Sequence, residues 1–142
     1  MNLDVSNPLT QISQIGTSIW LDDLSRSKLT GSDPHSLPHR INHDGVRGVT
    51  TNPSIFGAAI TGADEYAADI ASLSGKSVDE VVRTLTTDDV RVACDLFAEI
   101  YGTSKGIDGR VSIEVDPRLA HKTQETIDEG IALHALVNRP NV

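Results

Sequence analysis

A single cysteine, Cys94, stands in this chain of 142 residues. That excludes an intrachain disulfide framework and fits a reducing compartment. No stretch approaches the ~18 consecutive apolar residues of a membrane-spanning helix, and the opening MNLDVSNPLTQ has no basic stretch followed by an apolar core. Neither anchor nor secretory leader is read there, so a cytoplasmic address is expected and a membrane partner is not. A clustered basic face is missing too: 12 Lys and Arg stand against 20 Asp and Glu, a formal net charge of -8. Nucleic acid and anionic membranes are thereby poor partners, because both need such a face. His35, His39, His43, His121 and His134 form no HExxH motif and no Cys/His pairing, so no metal is expected. Low-complexity tracts, internal repeats and clean linkers are absent as well. With 38% hydrophobic and 23% charged residues, the composition is that of one ordinary soluble globular unit.

What is present alternates. Three short β-type runs, SIWL (18–21), VRGVT (46–50) and RVSIEV (110–115), each lead into a helix-start signal. Asp116-Pro117 pairs an N-cap with a residue suited to a first helical turn, predicting a helix over 117–137. Ser77 to Glu80 reads as a capping box opening a helix over 78–85. A further helix over 88–101 is expected to carry Val92, Leu96 and Ile100 on one stripe, with Cys94 as an inert, partly buried helix residue. Asn52-Pro53 starts a helix that Gly62 can end, another covers 63–73, and HRINHDG looks like a short helix stopped by Gly45. The three histidines at 35, 39 and 43 are placed on a wet surface. The loop GTSKGIDG has the glycines and lysine of a phosphate loop but not their order. Strands alternating with helices, with no hairpin signal, imply a parallel sheet in an α/β fold. A complete eight-unit barrel needs about 250 residues. Three strands in 142 residues therefore predict an incomplete barrel ending before a fourth strand.

Three polar residues fall where apolar runs end. Glu114 reads either as the wet face of an antiparallel strand or, in a parallel sheet covered on both faces, as lining an active-site mouth. Asp22 reads either as a group at the catalytic end of a barrel strand or as the N-cap of LSRSKL, a role for which Asp23 competes. Asn52 reads as a helix cap or as an amide offering donor and acceptor to a polyol.

Taken together, SIWLDD with Asp22, GVTTNPSIF with Asn52 and GRVSIEVDPRL with Glu114 resemble the transaldolase family, in that family's order. WLDDLSR is similar to the branch common in actinobacteria. The resemblance covers most of the chain and is weakest over 30–45. It implies the N-terminal portion of a (β/α)8 TIM-type barrel over residues 1–142, stopping before strand four. It also implies a lysine Schiff base with a ketose phosphate, sedoheptulose 7-phosphate or fructose 6-phosphate. From it a dihydroxyacetone unit passes to an aldose phosphate in the non-oxidative pentose phosphate pathway, with no metal or organic cofactor. Carried over by position, Asp22 is the acid/base at carbon–carbon cleavage. Glu114 serves, through a water, the proton transfers of Schiff-base formation. Asn52 binds the dihydroxyacetone moiety, and Thr50 helps place water or substrate.

The family's lysine belongs to the fourth strand, beyond RPNV. Lys28, Lys76, Lys105 and Lys122 fall in helical or loop segments and read as surface charges. The chain alone is therefore expected to be inactive and to self-associate through open sheet edges. Two other readings remain: a Schiff-base aldolase on the same barrel, and a non-catalytic fragment serving as an interaction module.

Overall fold

The computed structural model describes residues 6–62 and 64–142, apart from the side chain of Ile55. Helix α1 (Pro8–Gln14) opens on Asn7, whose side-chain oxygen accepts the Leu9 N–H at 2.9 Å, with Pro8 in the first turn. Strand β1 (Ile19–Asp22) leads through a three-residue turn into α2 (Arg26–Thr30), then α3 (Leu37–His39). A π-helical turn, Arg40–Asp44, follows and stops at Gly45, whose φ of 73° suits a residue without a Cβ. Strand β2 (Val46–Thr50) feeds α4 (Pro53–Gly62), a 3-10 turn (Asp64–Tyr66) and α5 (Ala67–Ser72). The long α6 (Val78–Leu96) and short α7 (Ala98–Thr103) come next. Then follow β3 (Arg110–Val111), a 3-10 turn (Pro117–Leu119) and α8 (Thr123–Val137).

The three strands form one parallel sheet in the order β1-β2-β3, with Asp22 opposite Thr50 and Val49 opposite Val111. Its helix-covered face buries Val49 and Val111 against Val90, Ala93, Cys94 and Phe97 from α6 and its C-cap. The other face carries Trp20, Asp22 and Arg110, all exposed among the described residues. Trp20 lies across Gly48, where a Cβ would come within 2.6 Å of the indole ring.

Several elements differ from the sequence reading. The capping box at Ser77 and Glu80 forms as expected, but the helices read over 78–85 and 88–101 are one helix through Leu96, followed by α7. Across the gap between the two readings, Thr86 and Thr87 turn their hydroxyls onto the carbonyls of Val82 and Arg83, each at 2.9 Å, and the helix continues. Of the expected stripe, Ile100 lies in the core and Leu96 packs against it, whereas Val92 is exposed and Val90, Ala93 and Cys94 face the sheet instead.

The strand read over 110–115 is a strand only at Arg110–Val111, and after the Ser112 N–H donates to the Val49 carbonyl at 3.0 Å side chains take over. The Thr51 N–H donates to Ser112 Oγ at 3.2 Å, and Thr51 Oγ1 donates to the Ser112 carbonyl at 2.9 Å. Hydroxyls thus replace the next rung of the ladder. The helix expected over 117–137 begins as the 3-10 turn and becomes α-helical only at Thr123. Of the helix read over 63–73, Ala63 lies outside the described residues and the rest divides into a 3-10 turn and α5. His35 and His43 are exposed as expected, whereas His39 is half-buried and stacks on His43 at 4.1 Å between ring centroids.

Candidate functional site

Parallel pairing brings the C-terminal ends of all three strands to one edge of the sheet. Asp22 is the last residue of β1 and accepts a hydrogen bond from Thr50 Oγ1, the last residue of β2, at 2.6 Å. Asp22 caps no helix. The N-cap of α2 is Ser25, and Asp23 forms an ion pair with Lys28. Asn52 does start α4, since its carbonyl accepts the Phe56 N–H at 3.2 Å, and its half-buried residue lines a cleft. Glu114, exposed, lies in the irregular segment after β3.

That cleft, of about 460 Å³, opens between α4, the first turns of α6, α8 and the segment following β3. Phe56, Val82, Ile113 and Leu133 give it apolar walls, and Asn52, Glu114, Arg83 and Arg118 stand among its polar lining. Arg83 Nη2 donates to both oxygens of Glu129 at 2.7 Å across it. Asp116 accepts the Arg118 N–H at 2.8 Å, and the Arg118 guanidinium holds its carboxyl below the usual range. Asn52 and Glu114 therefore share one cavity. Asp22 and Thr50 stand outside it at the same end of the sheet.

The four lysines are elsewhere. Lys76 and Lys122 pair with Glu80 and Glu125 at 3.8 and 3.1 Å. Lys105 sits in the turn before β3, at the opposite end of the strands, with φ 57°. Lys28 is half-buried; burial first, and Arg40 second, lower its pKa. Cys94 is fully buried, and loss of hydration pushes its thiol up to about 12, which matches an inert core residue.

Sequence reasoning missed two sets of residues. One is the Thr51–Ser112 pair, which ties together the segments bearing Asn52 and Glu114; neither hydroxyl announces its partner 61 positions away. The other is a buried polar ring behind β1. Asp89 Oδ1 accepts Arg26 Nε and Nη2, each at 2.9 Å, and Asp89 Oδ2 accepts the Tyr66 hydroxyl at 2.6 Å. Burial raises the Asp89 pKa despite its partners. Burial also works against the Arg26 charge, but hydrogen bonds to Asp69 and Asp89 outweigh it and raise its pKa. The guanidinium is thus held charged, while Asp89 loses more hydration than the pairing restores.

Comparison with known proteins adds a second line. The profile of the family described as transaldolase/fructose-6-phosphate aldolase matches residues 19–142. A transaldolase of Mycolicibacterium smegmatis is 54% identical over 140 residues, covering 96% of this chain and 37% of that protein. Transaldolases of Mycobacterium marinum and Mycobacterium tuberculosis are each 50% identical, over 139 and 143 residues. These alignments cover 96% and 99% of this chain, and 36% and 38% of the relatives. The chain thus spans little more than a third of the length of these curated relatives.

Proposed function

Because the chain belongs to the transaldolase/fructose-6-phosphate aldolase family, we propose that it forms the first part of a (β/α)8 barrel transaldolase. The whole protein moves a dihydroxyacetone unit from sedoheptulose 7-phosphate or fructose 6-phosphate to an aldose phosphate, in the cytoplasmic non-oxidative pentose phosphate pathway. The observation that supports this reading is that Asp22 and Thr50 meet at the C-terminal ends of neighbouring parallel strands, with Asn52 and Glu114 just beyond the ends of β2 and β3. Catalytic groups of such barrels stand at that end.

Each residue has a chemical task. A lysine amine attacks the ketose carbonyl, and Glu114, through a water, moves the protons needed to expel hydroxide as water. Asn52 orients the dihydroxyacetone portion with an amide that can both donate and accept. Asp22 then takes the proton from the C4 hydroxyl as the C3–C4 bond breaks and its electron pair flows toward the iminium. Thr50 occupies Oδ1 of that carboxylate, which leaves Oδ2 for the substrate. None of the four lysines lines the cleft among the described residues, so the Schiff-base amine comes from the part of the relatives' length that this chain does not span.

Fructose 6-phosphate and borohydride test this in the whole protein. One lysine outside residues 1–142 should become covalently modified, and transfer should require an aldose phosphate acceptor. Release of free dihydroxyacetone without acceptor would make the protein an aldolase of the same family. No adduct at all would overturn the Schiff-base reading.

A further inference from the structure

Arg26 is the first residue of α2, four positions after Asp22, and it is held from every side. Its backbone N–H donates to the Tyr66 hydroxyl at 3.0 Å, which itself donates to Asp89 Oδ2 at 2.6 Å. The ring closes where the Arg26 guanidinium donates twice to Asp89 Oδ1. Nη1 reaches Asp69, and the guanidinium carbon lies 4.6 Å from the centre of the Tyr66 ring. Four elements meet here: α2, the 3-10 turn before α5, α5 itself and α6.

The ring is costly. Tyr66 is 0% and Asp89 2% exposed, and a buried ion pair seldom stabilises a fold more than apolar residues of similar volume would. What such a network supplies is a fixed geometry, because every donor and acceptor accepts only one arrangement. The Tyr66 hydroxyl must both accept and donate, so phenylalanine cannot replace it. The geometry fixed is that of the turn after β1. Asp22 is tied to Thr50 on one side of that turn, Arg26 is locked on the other, and Leu24 between them is fully buried.

We propose that Arg26, Tyr66 and Asp89 are positioning residues for Asp22, setting the angle at which its carboxylate meets the substrate hydroxyl. The inference rests on the reading of Asp22 as the acid/base of carbon–carbon cleavage. A residue acting through Asp22 affects cleavage and leaves Schiff-base formation alone, whereas a general staple affects both.

The test uses the whole protein carrying Tyr66→Phe, Asp89→Asn, Asp22→Asn, and the double variant Asp22→Asn/Tyr66→Phe. Each is assayed well below its own unfolding midpoint. Two rates are read with fructose 6-phosphate: borohydride-trapped adduct in a single turnover, and acceptor-dependent transfer at saturation. Tyr66→Phe and Asp89→Asn should slow transfer about tenfold while trapping and KM stay within about twofold. The double variant should be no slower than Asp22→Asn alone, because two groups acting as one unit are not additive. Parallel loss of trapping and transfer, unchanged transfer, or an additive double variant would each overturn the proposal. Should Tyr66→Phe not fold, Arg26→Lys, which keeps charge and backbone N–H but loses the fork, enters the same cycle. An Asp22→Asn protein that transfers at the wild-type rate would instead remove the acid/base reading itself, whatever the ring does.

Discussion

Glu114 and Asp22 illustrate how position, more than residue type, sets what a carboxylate can do. Both are exposed among the described residues, and both follow apolar runs at the same end of the sheet. If Glu114 moves protons, Glu114→Gln in the whole protein keeps shape and loses the titrating group. Turnover should fall by a factor of about 100 or more, with ketose KM changed little. Steady-state kinetics check this, and weakened binding at full turnover would remove the role. The sequence exposed these residues because an acid at the end of a parallel strand is conspicuous. It could not expose Asp89, whose partners lie 23 and 63 residues away.

Elements obeyed local rules where local chemistry decides and departed from them where tertiary contacts do. The bounds of β2 follow from a β-branched run closed by Gly45 and Pro53, and α6 begins at its capping box. The early end of β3 depends on Thr51 and Ser112 meeting across strands, which no pattern within RVSIEVD contains. The start of β3 is set by Gly109, at φ 78°, whose N–H donates to the Arg47 carbonyl at 2.6 Å. A Cβ there would lie 2.4 Å from the Tyr101 backbone nitrogen. Gly109→Ala should therefore cost about 2–4 kcal/mol, read as a lower denaturant midpoint in the whole protein.

Acid should act on these elements in two opposed ways. Hydrogen bonds from Ser77, Arg139 and Arg118 hold Glu80, Asp95 and Asp116 below ordinary values. Their stabilisation is present above those ordinary values and is lost as pH falls through the lowered ones. Asp89, raised by burial, has the opposite sign: ionising it costs stability, which acidification toward its unfolded value of ~4 restores. Thermal midpoints should rise as pH falls toward ~4 and drop below it, and Asp89→Asn should diminish the rise.

At the scale of the whole molecule, the sheet presents helices on one face and Trp20, Asp22 and Arg110 on the other. Parallel sheets in α/β proteins are covered on both faces, and β1 lies at one end of the strand order. The 142-residue chain alone should therefore form dimers or larger species on sizing, and should yield no borohydride-trapped adduct with fructose 6-phosphate. A monomer, or an adduct on Lys28, Lys76, Lys105 or Lys122, would contradict this. Trp20 gives the same face an optical signature. It is the chain's one tryptophan, 39% exposed over Gly48 and two residues from Asp22. Its emission maximum is then a built-in gauge of wetness at that face. Red-shifted fluorescence is expected of an open sheet and a shift to the blue of closure or assembly, and the emission should change on adding fructose 6-phosphate if the proposed site beside Asp22 takes it.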